Sequence, residues 1–375
     1  MRIAFHTPLN AFDDGRISGD RRMARQLLAA LEGLGHDVEP VRAPRGFMPT
    51  PDAIHLAESR EAAAAAGAAM LARWRAGAQK PDLWFTYHNY YKAPDLLGPG
   101  IVTALGIPYV VAEASDSPRR SQGEWGAHNE AARQGFGLAD LHFFFTQRDR
   151  LGLEPWRSAT TALMELPPFI AFDAPPPQRR AVSPVPRLVT VAMMREGTKQ
   201  NSYLTLARIL RRLIDRPWTL TIIGDGRKRP EIETAFDAFP PGRIAWRGAI
   251  DHEAVIAELT THDLFVWPGV REAYGLVYLE AQAIGLPVVA FDSGGVSATV
   301  KAGETALLAQ EGDEAGFAAL LRSLLDEPGR RVALGDAARR FALHERTPQR
   351  AARILTEGLL RAVANRAARR EESGS

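Results

Sequence analysis

The density of proline between residues 167 and 186 limits what this 375-residue chain can fold into. Seven of these twenty residues are proline, and proline interrupts helices and central strands because its φ is fixed and it lacks an amide N–H. The segment therefore predicts an extended linker at residues 171–187. It separates an N-terminal domain of residues 1–170 from a second domain of residues 188–345, and a terminal segment of residues 346–375 follows.

Short apolar runs alternate with helical patterns on both sides of this linker. In the first half the strand candidates are residues 3–5, 37–39, 83–85, 109–111 and 141–145, with a helix at residues 20–34. In the second half they are residues 188–191, 220–223, 243–246, 264–267 and 287–291, with helices at 203–213, 252–259 and 275–284. Parallel strands need such crossovers, so the pattern predicts an α/β fold with two Rossmann-like domains. Ligands of such sheets bind beyond the carboxyl ends of the strands, and we expect the two domains to face each other across a cleft.

The composition excludes several classes of protein. The chain has no cysteine, which rules out disulfides, thiolate zinc sites and a cysteine nucleophile. A balance of 46 basic against 44 acidic residues gives no reason to expect a nucleic acid partner. The N-terminal apolar run is too short for a signal peptide and the alanine-rich residues 62–72 are too short to span a membrane, so a cytoplasmic location is expected. The basic residues 361–370 fit either contact with a membrane surface or a solvated helix face.

The most informative stretch is residues 267–280, with the sequence WPGVREAYGLVYLE. An apolar strand ends at Pro268 and a helix begins near Gly275, so the loop between them lies at the carboxyl end of a strand. The first amides of a helix have no helical partner and favour an anion. The amides expected to do this are those of Tyr274, Gly275 and Leu276.

Two carboxylates accompany this helix end, Glu272 in the loop and Glu280 inside the helix. Carboxylates beside an anion site are useful when the ligand also carries vicinal hydroxyls, as a ribose or a hexose does. Taken one at a time, each glutamate is more often an ordinary surface charge.

Together, these residues resemble the E-x7-E signature of glycosyltransferase family 4, the retaining, group 1 type. Residues 283–290 and the pair Gly294-Gly295 also look like that family. The resemblance implies a GT-B fold, in which Glu280 binds the nucleotide ribose and Glu272 the transferred sugar. It also implies that the terminal helix packs back on the first domain.

By the same resemblance, two cations after the first strand of the second domain neutralise the donor diphosphate. Arg195 and Lys199 are the candidates, but they are four residues apart where the family has five or six, which leaves open whether Arg195 or only Lys199 contacts the diphosphate. Gly224, in a Gly-Asp-Gly turn, and Ile250, after a turn expected to meet the donor base, complete this side of the site.

The first half resembles the family in outline only. Where the family has a glycine-rich loop facing the donor phosphates, residues 14–19 lack the usual glycine pair, and Gly19 is the candidate. The sequence YHNYY at residues 87–91 follows a buried strand and is rich in side chains that bind sugars. We expect the acceptor to meet His88, Asn89 and Tyr90. His128, in a polar loop, is the candidate for contact with the transferred sugar, although a lone histidine is more often structural.

The resulting prediction is a metal-independent glycosyltransferase of the hexosyltransferase kind, active in carbohydrate biosynthesis. A nucleotide-diphosphate sugar, UDP- or GDP-linked, would be the donor substrate and no cofactor is required. The acceptor would be a carbohydrate, a lipid-linked or a small molecule, and front-face displacement would retain the anomeric configuration. A non-catalytic nucleotide-sugar or carbohydrate-binding protein on the same scaffold is the alternative. A nicotinamide-dependent dehydrogenase is disfavoured because no G-x-G-x-x-G follows the first strand.

Overall fold

The chain forms two α/β units, each built on a six-stranded parallel sheet. The computed structural model describes residues 1–13, 15, 18–180 and 183–374. The first unit comprises residues 1–167 together with the chain from Pro348 onward, and the second comprises Pro168–Thr347. The predicted α/β class with two Rossmann-like sheets is confirmed.

In the first unit the strands alternate with helices along the chain. The elements are β1 (Arg2–His6), α1 (Gly19–Gly33), β2 (Asp37–Pro40), α2 (Ala53–Arg75), β3 (Leu83–Tyr87), α3 (Gly98–Leu105), β4 (Tyr109–Ala112), α4 (Gly126–Leu138), β5 (Leu141–Phe144), α5 (Gln147–Leu153) and β6 (Ala162–Glu165). The sheet order is β2-β1-β3-β4-β5-β6, so the strand order reverses between β1 and β3. In doubly wound sheets the ligand lies beyond the strand ends at such a switch point.

The second unit repeats this alternation with a different strand order. Its elements are β7 (Arg187–Val191), α6 (Thr198–Arg211), β8 (Thr219–Ile223), α7 (Arg229–Phe236), β9 (Ile244–Gly248), α8 (His252–Leu259), β10 (Leu264–Val266), α9 (Leu276–Ile284), β11 (Val288–Asp292), β12 (Ala306–Gln310), α10 (Glu314–Asp326) and α11 (Pro328–Glu345). The order β12-β11-β10-β7-β8-β9 places the switch point between β7 and β10.

The central strands are buried over most of their length because helices cover both faces of a parallel sheet. All five residues of β3 are buried, as are the three of β10. The sequence did not predict β6, whose residues are intermediate or exposed, or β12, and both lie at the edge of a sheet. Both carry short apolar runs, at residues 162–164 and 306–309, that were not singled out in the sequence.

The proline-rich segment belongs to the second unit, which begins at Pro168. Its described residues up to Pro186 form neither helix nor strand. The backbone amides of Arg179 and Arg180 donate to the carbonyls of Ile284 and Thr260, each at 2.8 Å. These bonds attach an extended segment to the helices of its own unit.

The last helix, α12 (Pro348–Gly374), packs on the first unit, as predicted. Gly358 lies where a Cβ would overlap the ring of Phe143 in β5, so the missing side chain allows the helix to approach the sheet closely. Asn365 Nδ2 donates to the carbonyl of Asp140 at 2.9 Å.

Arginines of the basic segment bind the carboxyl ends of two helices in the first unit. Arg366 donates to the carbonyl of Val102 in α3 at 2.9 Å, and Arg370 donates to the carbonyl of Gly106 just beyond it. Arg369 donates to the carbonyl of Leu138 at the end of α4 at 2.8 Å. Helix carboxyl ends carry unpaired carbonyls and favour cations. These three arginines therefore dock α12, a role that neither reading of the basic sequence had anticipated. No described helix combines the length and apolarity that a membrane span requires.

We expect Arg369→Ala to lower the free energy of unfolding by roughly 3 kcal/mol, because removing one member of a buried ion pair leaves the other uncompensated. Its guanidinium lies 3.5 Å from the Asp140 carboxylate, which has no solvent-exposed surface. Arg353→Ala on the exposed face of the same helix is the control and should stay within about 0.5 kcal/mol of the wild type. Urea unfolding measures both, and equal effects would show that the helix is not docked through Arg369.

Candidate functional site

The switch point of the second unit brings together two of the predicted residues, Lys199 and Glu272. Lys199 lies in the first turn of α6, which follows β7, and Glu272 lies in the loop after β10. The ammonium of Lys199 is 2.5 Å from Oε2 of Glu272, and both side chains are partly shielded from solvent. Residues that are 73 positions apart in sequence thus form one ion pair at the edge where such sheets bind ligands.

A buried tryptophan completes this cluster. The indole Nε1 of Trp267 donates to Oε2 of Glu272 at 3.3 Å, and Lys199 Nζ lies 5.6 Å from the centre of the Trp267 ring. From the sequence, Trp267 was predicted only as the end of a strand. Its type was a usable signal, because a tryptophan at the carboxyl end of a central strand lies next to the ligand edge.

The loop that carries Glu272 is clamped by its neighbours. The amide of Val270 donates to Ser202 Oγ at 3.0 Å, and the amide of Arg271 donates to Ser293 Oγ at 2.7 Å. Arg271 is left-handed, with φ of 50°. A Cβ on Gly294 would overlap the carbonyl of Glu272. The same carbonyl accepts from the amide of Gly295 at 2.9 Å. The Gly294-Gly295 pair is therefore needed for a close backbone approach.

Helix α9 begins at Leu276, next to this loop. Gly275 caps it with φ of 75° and without any side-chain cap bond. The amide of Tyr278 donates to the carbonyl of Gly275 at 3.1 Å, while no side chain caps the amides that begin the helix, which can therefore bind an anion. The carbonyl of the buried Tyr274 accepts from Thr299 Oγ1 at 2.8 Å. The three residues predicted to line this helix end therefore lie at it, and α9 starts one residue later than expected.

Glu280 is buried on α9 and pairs with a residue that the sequence analysis did not single out. Oε1 of Glu280 lies 3.3 Å from Nε2 of His252, the first residue of α8. Ile250 precedes that helix and is half-buried against the core of the unit. His252 is two residues beyond Ile250, so proximity in sequence was the only available signal.

Arg195 and Gly224 lie on the same edge. The side chain of Arg195 is exposed, and its carbonyl accepts from the amide of Gln200 at 3.1 Å. Gly224 has φ of 141°, and a Cβ there would overlap the carbonyl of Ala192. The Gly-Asp-Gly turn is thus required for close packing of two strand ends. Within the described part of the chain, Arg195 forms no ion pair with Glu272.

In the first unit, two non-glycine residues at neighbouring strand ends have left-handed backbones. His88, after β3, has φ of 73°, and Glu113, after β4, has φ of 55°. Their side chains are largely buried, with His88 Nδ1 at 3.9 Å from Glu113 Oε2. Burial lowers the pKa of His88 to about 4, against the opposing effect of the Asp20 carboxylate, so the imidazole is neutral at pH 7. Strained conformations of this kind concentrate at functional sites.

The neighbours of His88 differ in their surroundings. Asn89 has no exposed surface, its Nδ2 donates to the carbonyl of Ala132 at 3.1 Å, and its Oδ1 accepts from the amide of Asp95 at 3.0 Å. Tyr90 is half-buried, with its ring 4.7 Å from that of His88, and burial raises its pKa. Asn89 thus anchors the loop, while Tyr90 and His88 form one face.

His128 lies in the first turn of α4, and the prediction of a polar loop at this position is wrong. The buried residues of that helix recur at helical spacing, which the glycines had obscured: Ala131, Ala132, Gly135 and Phe136. His128 is itself buried, which lowers its pKa. It ends a row of ring contacts of 5.4, 4.9 and 5.1 Å that runs through Tyr90, Tyr91, Trp125 and His128.

Gly19 is the first residue of α1, and the hydroxyl of Ser18 caps this helix by accepting from the amide of Arg21. Of the predicted loop at residues 14–19, positions 14, 16 and 17 lie outside the described residues. The described residues contain no group of three or more histidine, aspartate or glutamate side chains placed to hold a metal ion.

Comparison with known structures defines the class of fold. Sucrose-phosphate synthase from Thermosynechococcus elongatus superposes with a TM-score of 0.73 over 100% of both chains, at 20% identity. Anabaena HepE in complex with UDP superposes with a TM-score of 0.66 over 96% of this chain and 99% of that one, at 14% identity. The chain therefore has a GT-B fold.

Sequence comparison then gives the family. Residues 185–327, which lie within the second unit, match the family described as glycosyl transferases group 1. D-inositol 3-phosphate glycosyltransferase of Rhodococcus jostii is 36% identical over 121 residues, which are 32% of this chain and 27% of that protein. The 2-deoxystreptamine glucosyltransferase of Streptomyces kanamyceticus is 32% identical over 114 residues, 30% of each chain. The matches thus span about a third or less of these curated relatives. The family match at residues 185–327 includes the residues that resemble family 4.

The approach of Gly294 to Glu272 can be tested with a matched pair of glycines. Gly294→Ala and Gly242→Ala both place an alanine in a left-handed conformation, but only Gly294 faces backbone, whereas Gly242 faces open space. We expect Gly294→Ala to lower the free energy of unfolding by roughly 1–3 kcal/mol more than the control, because the Glu272 loop must move. Urea unfolding followed by tryptophan fluorescence measures the difference. Equal losses would mean that the loop yields without cost.

Proposed function

We propose that this protein is a retaining glycosyltransferase that moves a sugar from a nucleotide-diphosphate sugar to an acceptor hydroxyl. The observation that carries the proposal is the Lys199–Glu272 pair beside the first turn of α9, at the switch point of a group 1 domain. This arrangement offers a fixed cation, helix amides and a carboxylate within one site.

The cation and the helix end have a defined task in this reaction. The nucleoside diphosphate gains negative charge as the glycosidic bond breaks, and groups already held in place stabilise that charge without reorganising. Lys199 and the amides of Gly275 and Leu276 provide this stabilisation of the diphosphate. The exposed Arg195 and the start of α1 at Gly19 are the further candidates. The proposed reaction requires neither a metal ion nor a cofactor.

The two glutamates bind different parts of the donor. Glu272 accepts hydrogen bonds from the transferred sugar, and Glu280 accepts from the ribose hydroxyls next to Ile250 and the base. UDP- and GDP-sugars are the proposed donors. Support for this comes from the UDP in the HepE structure and from a Corynebacterium glutamicum relative named as a GDP-mannose-dependent mannosyltransferase, 36% identical over 128 residues.

The acceptor binds at the switch point of the first unit. His88 and Tyr90 present a neutral imidazole and an aromatic face, which suit the hydroxyls and the C–H surface of a sugar or cyclitol ring. Asn89 supports them from within the core. The relatives are named for inositol phosphate, deoxystreptamine and phosphatidylinositol mannoside, and a carbohydrate or lipid-linked acceptor is proposed by analogy.

A donor panel tests the function itself. The protein is incubated with UDP-, GDP- and ADP-sugars in the presence of EDTA, and release of nucleoside diphosphate is measured with and without cyclitol and sugar acceptors. One donor should be turned over, and an acceptor should accelerate its turnover. Binding of a donor without any release would instead favour the non-catalytic binding protein, and activity restored only by magnesium or manganese would overturn the metal-independent mechanism.

We expect Glu280→Ala to weaken donor binding roughly 10- to 150-fold, because a hydrogen bond to a charged group contributes about 1.5–3 kcal/mol. Calorimetric titration with the nucleoside diphosphate measures the loss. Glu253→Ala, an exposed glutamate in the first turn of neighbouring α8, is the control and should bind normally. Unchanged affinity in a folded Glu280→Ala variant would remove this residue from the site.

The acceptor assignment predicts that two activities separate. His88→Ala and Tyr90→Ala should reduce transfer to the acceptor while slow hydrolysis of the donor continues, because neither residue contacts the donor. His36→Ala is the control and should affect neither rate. His36 precedes β2 and so lies at the amino ends of the strands, whereas His88 lies at their carboxyl ends. Parallel loss of transfer and hydrolysis would place His88 and Tyr90 on the donor side or in the structural core.

A further inference from the structure

The carboxylate of Glu272 is held asymmetrically. Lys199 Nζ and Trp267 Nε1 both reach Oε2, at 2.5 and 3.3 Å. Among the described residues, no donor bonds to Oε1. A carboxylate oxygen that is free of protein donors remains available to a ligand hydroxyl, since each oxygen has two lone pairs.

The two donors to Oε2 differ in what they contribute, one a charge and the other a direction of approach. An ammonium on a flexible four-carbon chain supplies charge but little direction, because its three hydrogens rotate. The indole of Trp267 has one N–H in the plane of a buried ring, so it defines the direction from which Oε2 is approached. Lys199 therefore supplies an opposite charge beside the carboxylate, and Trp267 fixes the rotation of the carboxylate group.

The ring itself is held from several sides. Tyr203 makes an edge-on contact at 4.7 Å between ring centres, and its hydroxyl donates to the carbonyl of Ala192, just beyond β7, at 2.7 Å. The amide of Trp267 donates to the carbonyl of Val289 in β11 at 3.1 Å, and the hydroxyl of Tyr278 donates to the carbonyl of Trp267 at 3.2 Å. Trp267 is thus bonded to β11 and α9 and contacts α6, so its N–H is pre-oriented before any ligand binds.

We propose that Trp267 is a positioning residue for the transferred sugar: its indole N–H holds Oε2 of Glu272 so that Oε1 faces a sugar hydroxyl. The inference rests on the proposed function, because it concerns the sugar of the donor. It assigns to Trp267 no contact with the nucleotide, and it makes Glu272 the residue through which the tryptophan acts.

Trp267→Phe tests this, because it keeps most of the buried aromatic volume and removes the N–H. We expect kcat/KM for the nucleotide sugar to fall roughly 10-fold, the size of a hydrogen bond to a charged group at its weaker end. Affinity for the nucleoside diphosphate alone should stay within about twofold. Trp218→Phe is the control, since Trp218 is buried in the same unit and its Nε1 donates to a backbone carbonyl, that of Leu213, at 2.8 Å.

A double-variant cycle distinguishes positioning from packing. If Trp267 acts through Glu272, the variant with both Trp267→Phe and Glu272→Ala should be no slower than Glu272→Ala alone, because alanine leaves the indole N–H nothing to orient. A packing role predicts that the two losses multiply and that affinity for the nucleoside diphosphate falls as well. Either of these results, or wild-type kinetics in Trp267→Phe, would overturn the proposal.

Loss of folding and failure of the proposed function are recognised separately. Thermal unfolding of the Trp267→Phe and Trp218→Phe variants reports folding. If Trp267→Phe does not fold, benzothienylalanine at position 267 replaces the N–H with sulfur in a ring of the same shape, and the same 10-fold loss is expected. If the wild type neither binds a nucleoside diphosphate nor releases one from any donor, the proposed function fails and this inference with it. Binding and turnover by the wild type with an unaffected Trp267 variant overturns the inference alone.

Discussion

The ion pair between Lys199 and Glu272 is the interaction on which the order of the second unit's ligand edge depends. It joins the start of α6 to the loop after β10, two segments that leave the sheet on either side of the point where the strand order reverses. Exposed ion pairs contribute little because water screens them. Here only 21% of the lysine side chain and 14% of the glutamate side chain are exposed, so the attraction is less screened, and neither charge is left isolated. The serine bonds to Val270 and Arg271 and the approach of Gly294 then hold the loop in the position that this pair requires.

The sequence was sufficient to predict the features that are local or periodic. Buried strands are recognisable from short apolar runs, and most of the predicted ones were found within one or two residues of their place. Lys199 and Glu272 could be assigned to one edge because both follow central strands. Contacts between side chains on different elements cannot be predicted from the spacing of residues along the sequence. The contacts of His252 with Glu280 and of Trp267 with Glu272 depend on how α8 and β10 lie beside other elements, and both residues were missed as members of the site.

The first unit shows a further limit of prediction from sequence, which concerns the backbone. The residue types of His88 and Glu113 give no indication of a left-handed backbone. Each such conformation costs of order 1–3 kcal/mol of folding free energy. The surrounding structure supports that strain. The amide of His88 donates to the carbonyl of Ala112 at 2.9 Å, and Asn89 and Asp95 tie the following loop to the core. Asp95 accepts from Thr86 Oγ1 at 2.5 Å and from the hydroxyl of Tyr109 at 2.8 Å, so the buried carboxylate is well satisfied.

The membership of α12 in the first unit makes the second unit an insertion within it. This affects the order in which the parts of the chain can fold during synthesis. Synthesis runs from the N-terminus, and domains generally fold as units during it. The second unit is continuous from Pro168 to Thr347 and can fold as soon as it has been made. The first unit has its sheet early but receives α12 last. Until then, the carbonyls at the ends of α3 and α4 that Arg366 and Arg369 later cover, and the surface of β5 beneath Gly358, have no helix over them. The half of the protein that is translated first is therefore the last to be completed.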